Sequence, residues 1–148
     1  MAEGRPRKFE FAVLVVIISI LALLLLAALK RGMEEVEEST VQSEAAAIRI
    51  ELLDVLAHRE ARGGKLPDSQ NPVRWIARTP EGYLGELAAA PQERVVWYFD
   101  NKREELVYRF RFSREARFRL VRGAEAINAP GVLAGVGLRR VDVARNNM

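Results

Sequence analysis

No cysteine occurs among the 148 residues, which excludes disulfides, thiolate nucleophiles and cysteine-ligated metals together. Histidine is almost as scarce. The single one, His58, falls beside Leu56, Arg59 and Arg62 in a helical stretch, the setting of a surface or interface residue rather than of a general base. Metal sites need clustered Cys, His or carboxylates. The one dense acidic group, Glu34-Glu35 with Glu37-Glu38, reads as a solvated turn of helix. Gly131, Gly135 and Gly137 lack the strand-then-helix setting and the spacing of a phosphate cradle. No catalytic residue, cofactor or metal is expected, so the chain does not read as an enzyme.

Excess charge is missing where a polyanion would need it. The formal balance is +3 with a pI near 9.6. Past Arg31, however, 18 Lys and Arg stand against 18 Asp and Glu. The excess belongs to the flanks of one apolar run.

That run, residues 11–29 (FAVLVVIISILALLLLAAL), is apolar except for Ser19. Nineteen residues at about 1.5 Å each cover nearly all of the ~30 Å hydrocarbon core of a bilayer. A soluble core helix keeps a polar stripe, and this run has none. Arg5, Arg7 and Lys8 precede it; Lys30 and Arg31 follow. A cleaved secretory signal shares the basic start, but its apolar region is about 7–15 residues and ends at a small-residue cleavage site. Here Leu26-Ala27-Ala28-Leu29 passes directly into Lys30-Arg31, and the helical pattern continues. A membrane-spanning helix over 9–31 is expected, after a cytoplasmic leader, 1–8, too brief to fold. Three bases before the span against two after it place the N-terminus in the cytoplasm. In a bacterium the chain would cross the inner membrane once, with its body in the periplasm.

Residues 33–62 contain no proline and no glycine, and Gly32 just before them is a candidate joint where the helix leaves the bilayer. Val41, Ala45, Ile48, Leu52 and Val55 recur at helical spacing, with Leu53 and Leu56 widening the face. Glu34, Glu38, Glu44, Glu51 and Asp54 occupy the rest. An amphipathic stem over 32–64 follows, stopped by Gly63-Gly64. It cannot bury its apolar face alone, so a domain over 65–148 must cover it. Pro67, Pro72, Pro80 and Pro91 punctuate an irregular stretch, with short helical turns expected at 73–77 and 83–89. From Arg94 the period becomes two. Residues 94–99 and 106–112 make a hairpin across Asp100-Asn101-Lys102, 116–121 adds a strand and 138–143 a fourth. A loop is expected over 124–137 and a frayed end from 144. The fold class expected is α+β: a long membrane-spanning N-terminal helix continuing into a stem packed on a small antiparallel sheet.

A basic leader, a membrane helix with an acid near its start, an amphipathic extension and a small sheet form the layout of type IV pilins and type II secretion pseudopilins. The chain resembles them over nearly its whole length. Asn71-Pro72-Val73-Arg74-Trp75-Ile76 and Thr79-Pro80-Glu81-Gly82-Tyr83-Leu84-Gly85-Glu86 are similar to a segment of some minor pilin-like proteins. Trp97-Tyr98-Phe99-Asp100 with Leu106-Val107-Tyr108-Arg109 resembles the hairpin that follows it. The resemblance implies a pilin-like fold and a structural or assembly role in a type IV pilus (MSHA-like) or a type II secretion system. The implied partners are pilin-like subunits or assembly-platform proteins. The leader departs from the family pattern. Cleavage after Gly4 would leave Glu10 sixth rather than fifth, behind three bases and a proline, which fits a resident inner-membrane accessory better than a fibre subunit.

Two sets of residues stand out as sites. Phe9 and Glu10 at the cytoplasmic edge of the span, with Val41, Ile48 and Leu52 on the stem, are the expected subunit interface; an acid within a span is costly and tends to be held by a partner's positive group. The second set is Arg109, Arg111, Arg114, Arg117, Arg119 and Arg122. Residues 33–60 carry eight acids against two bases, and 61–148 carry sixteen bases against ten acids. Electrostatic docking of sheet on stem, or of one subunit on the next, is therefore expected of Arg109, Arg111, Arg117 and Arg119. Phe and Tyr occupy the opposite face, so no stacking platform forms and nucleic acid is disfavoured as a partner. Two alternatives remain: a bitopic envelope scaffold unrelated to pilins, and a periplasmic polyanion-binding module.

Overall fold

The computed structural model describes residues 5–123, 132–133 and 135–142. Its first element, α1 (Arg5–Arg62), is one unbroken α-helix. It begins inside the stretch expected to be an unfolded leader, which is a correction. Pro6 is its second residue, where the missing N–H has no intrahelical role and the fixed φ suits the first turn. Gly32 does not interrupt it. One glycine costs about 1 kcal/mol against alanine, too little to break a helix this long. The C-terminus is sharper. Gly63 adopts φ 69°, the left-handed cap that ends a helix without a Cβ penalty.

The chain divides into two compact units, Met1–Glu38 and Ser39–Met148, and α1 contributes residues to both. The first contains the apolar run, whose large side chains are exposed throughout, from Phe11 at 68 % to Leu25 at 70 %. The second is an α+β body. After a single 3-10 turn at Pro72–Arg74 come β1 (Tyr83–Leu87), β2 (Val96–Asp100), β3 (Glu105–Arg109), β4 (Glu115–Arg122), a two-residue β5 (Val132–Leu133) and β6 (Val136–Arg140). They form one sheet in the order β1-β2-β3-β4-β6-β5.

The central hairpin falls where alternation predicts it, with Trp97 opposite Tyr108 and Phe99 opposite Leu106. Three expectations do not hold. The sheet is mixed, not antiparallel, because β1 pairs parallel to β2. Residues 83–87 are that strand rather than a helical turn: Trp97 donates its backbone N–H to the Gly82 carbonyl (3.0 Å), and pairing with β2 overrides the weak local preference. Part of the expected loop 124–137 is also sheet, since β5 and the start of β6 lie within it; 124–131, 134 and the expected frayed end from 144 fall outside the described residues. β6 accordingly spans Val136–Arg140 rather than 138–143.

The core of the second unit joins one helix face to one sheet face. Val41, Ala45, Ile48, Leu52 and Leu56 share a buried cluster with Trp97, Phe99, Leu106, Phe118, Leu120 and Leu138. Full burial of a side chain such as Ile48 contributes about 1.5–3 kcal/mol. Trp97 packs on Tyr108 at 5.0 Å and on Phe118 at 5.8 Å, giving the sheet an aromatic centre.

Candidate functional site

Within the first unit, the apolar run has one polar side-chain atom, and it is satisfied internally. Ser19 Oγ donates to the Val15 carbonyl at 2.7 Å, so nothing in the run calls for water. Phe9 and Glu10 sit exposed just before it. The remaining members of that expected interface do not fit. Val41, Ile48 and Leu52 are 1 %, 0 % and 2 % exposed, covered by the protein's own sheet, so they are core residues and not a surface for another subunit. The apolar face that periodicity singled out is already occupied.

The arginine set is corrected in a similar way. Alternation does turn Arg109, Arg117 and Arg119 away from the core, but acids on the same sheet face meet them. Glu105, with no exposed side-chain surface, receives Arg117 Nη1 at 3.1 Å and Arg119 Nη2 at 2.7 Å. Arg117 also reaches Glu115 at 2.6 Å, and Arg109 lies 3.5 Å from the same carboxylate. Burial alone would lower the Arg117 pKa; its hydrogen bonds to Glu115 and Glu105 outweigh that and raise it. The charges expected to dock the sheet elsewhere are mostly neutralised within the sheet. Arg111 lies past the end of β3, in the exposed turn before β4.

Docking of stem acids onto basic residues does occur, through an arginine that composition did not single out. Arg78 Nη2 approaches Glu44 at 2.8 Å and its Nε approaches Glu51 at 3.0 Å. Hydrogen bonds to Glu51 and then Glu44 raise the Arg78 pKa. Arg49 Nε donates to the Leu138 carbonyl at 2.9 Å, tying the same helix segment to β6.

Sequence reasoning also missed a polar node around Asn71, which is 1 % exposed. Its Oδ1 accepts from Val73 N at 3.1 Å and caps the 3-10 turn; its Nδ2 donates to Tyr83 Oη at 2.8 Å and Glu86 Oε1 at 3.0 Å. Arg74 grips Glu86 with two contacts, at 2.6 and 3.0 Å. Trp75 Nε1 donates to the Ser69 carbonyl at 2.9 Å, and the Arg122 guanidinium stacks 4.6 Å over the Trp75 ring. The node fixes the proline-rich segment against β1. The Asn71-Pro72 pair, a capping residue ahead of a proline, was its only sequence signal.

An open hollow of about 400 Å³ lies beside this node, lined by Asp68, Gln70, Arg74, Glu86 and Arg122. Its Arg74 and Glu86 are committed to each other, so it offers no converging reactive groups. His58 Nδ1 lies 3.3 Å from Asp54 Oδ1 on exposed helix. Among the described residues no group of three or more His, Cys, Asp or Glu could hold a metal.

No family model, no curated protein and no solved structure matches the chain.

Proposed function

We propose that the protein is a single-pass inner-membrane accessory of a type IV pilus (MSHA-like) or type II secretion system, built on the pilin plan and acting by helix packing rather than by chemistry. One observation carries the reading. A single helix, Arg5–Arg62, bears an apolar run whose large side chains are all exposed and, further along, the face that organises a small sheet. Exposing this run, 18 of whose 19 residues are apolar, to water would be strongly unfavourable, and a bilayer removes that cost. Phe9 and Glu10 are the residues assigned to contact with a neighbouring membrane helix. The paired sheet arginines support a protein partner over a polyanion, since a phosphate chain would have to displace acids already in place.

The test is photo-crosslinking from Phe9 and from residues flanking Glu10 in native bacterial membranes, followed by mass spectrometry. Capture of a pilin-like or assembly-platform protein, reduced by Glu10→Gln, is the expected result. Capture of neither class overturns the reading. A second reading, a bitopic envelope scaffold with no pilin kinship, is favoured by the parallel β1–β2 pair, which departs from the antiparallel sheet of the expected fold. Crosslinks to envelope proteins outside both machines would select it.

A further inference from the structure

Where β1 and β2 begin and β3 ends, the second unit opens into a hollow of about 480 Å³, within the range of roughly 300–1,000 Å³ typical of ligand pockets. Trp97 and Tyr108 line it, opposite each other in the β2–β3 register with their rings 5.0 Å apart. Val41 of α1 and Val95 add apolar surface. Two carboxylates, Glu44 and Glu81, line it as well, and among the described residues no base does. The backbone at its edge is unusual. Val95 has φ 60°, in the left-handed region that a β-branched residue rarely adopts, and is 44 % exposed. Gly82 beside it has φ 74°, and a Cβ there would lie 3.3 Å from the Val95 carbonyl oxygen. Strained backbone of this kind gathers at ligand sites.

We propose that this hollow receives an arginine side chain of a protein partner. The charge balance calls for a cation. Glu44 and Glu51 share one base, Arg78, and Glu81 is exposed with no ion pair among the described residues. Three acids against one base leave an excess of two negative charges around the opening. The apolar lining calls for more than a bare cation. An inorganic ion would gain nothing from Val41, Val95 and two aromatic rings, whereas a guanidinium on an aliphatic stem uses both halves of the site. The stem covers the valines, and the planar, weakly hydrated head lies against the rings and donates to the carboxylates. Lysine, with a more strongly hydrated ammonium, gives up more on entering. The exposed Val95 side chain offers the partner's neighbouring residues an apolar contact beside the anchor, the arrangement of an arginine hot spot. All of the lining residues belong to the second unit, so the site exists however residues 11–29 are housed.

The chain has two tryptophans, Trp75 and Trp97, which makes the test direct. Fluorotryptophan labelling of the full-length, detergent-solubilised protein gives two fluorine NMR signals, told apart with Trp75→Phe. The probe is N-acetylarginine amide, and its neutral counterpart is N-acetylcitrulline amide. A saturable shift of the Trp97 signal, with a Kd of about 1–10 mM and the Trp75 signal unmoved, supports the site. So does binding of the citrulline compound about tenfold weaker or less. Glu81→Gln, at an exposed position outside any described ion pair, removes charge without disturbing the fold and is expected to weaken the arginine probe about two- to fivefold. No shift of the Trp97 signal, equal shifts of both tryptophans, equal binding of the two probes, or undiminished binding by Glu81→Gln overturns the proposal. A response to free spermidine without one to the arginine probe also overturns it, since the ligand would then be a free polyamine and not a partner's side chain.

Discussion

Glu105 shows how a single carboxylate can hold a charged sheet face together. It has no exposed side-chain surface, and a buried carboxylate is tolerable only when its charge is met and its lone pairs are filled. Arg117 and Arg119 do both. Removing the acid takes one of three carboxylates from Arg117, which keeps Glu115 at 2.6 Å and Asp100 at 3.5 Å. Glu105→Ala is expected to lower stability by about 1.5–3 kcal/mol, the usual cost of losing buried hydrogen bonds to a charged group, read by urea unfolding of the detergent-solubilised chain. Tyr98 lies on the same sheet face, and its hydroxyl finds no hydrogen-bond partner among the described residues. Burial, then the nearby Glu115 charge, raises its pKa. A raised pKa in the folded state means the neutral phenol is favoured there. The stabilisation is complete below the ordinary tyrosine value of about 10 and is lost as pH climbs through the folded value. Tyr98→Phe removes an unpaired polar atom at little packing cost. It is expected to leave neutral-pH stability unchanged, or raise it by about 1 kcal/mol, and to flatten the loss of stability above pH 10. A steeper alkaline loss in the variant would contradict this assignment. Nothing in the sequence links Glu105 to Arg117, because the pairing depends on the β3–β4 register.

The second half of α1 and the sheet covering it are the elements on which fold stability depends. Ile48 is fully buried at their junction, whereas Leu84 on the edge strand β1 is 44 % exposed. Ile48→Ala is expected to cost about 2–5 kcal/mol and Leu84→Ala about 0.5 kcal/mol or less, both measured by chemical denaturation. Similar losses at the two sites would mean that the helix face has been assigned wrongly. That face was largely legible in advance because helical periodicity is local: Val41, Ala45, Ile48, Leu52 and Leu56 fall within sixteen residues, although Val55 and Leu53, placed on the same face, are only half-buried. The hairpin β2–β3 was legible for the same reason, its two halves being joined by a short turn in which Asp100 Oδ1 accepts from Lys102 N and Arg103 N. β1 was not. Its sequence, YLGEL, has a central glycine and no β-branched residue, and its partner runs parallel, so the pairing cannot be signalled by a turn. Gly85 accommodates the irregularity in that strand with φ 101°. The error over the subunit interface has a related cause. Periodicity identifies an apolar face, but not whether its cover comes from the same chain or from another.

At the scale of the whole molecule, an apolar run so complete has a consequence that can be counted. An 18-residue window within α1 reaches a mean hydropathy of 3.3. Fourteen residues between 11 and 29 are Leu, Ile, Val or Phe, each contributing about −0.3 to −0.6 kcal/mol to insertion near the centre of a span. Arginine at the centre opposes this by about 2.5–3.5 kcal/mol. The segment therefore has insertion energy to spare for one charge and roughly none for two. Leu21→Arg and the unaltered chain are both expected to remain in the membrane fraction after an alkaline carbonate wash. Leu21→Arg combined with Leu24→Arg should bring insertion near balance, so that a large share of the protein is released. The graded response separates a true span from an apolar run that merely adheres to lipid, for which the first arginine would already loosen attachment. A chain that washes off unaltered would remove the bilayer from the account. With it would go the only environment on these grounds that makes residues 11–29 stable while exposed.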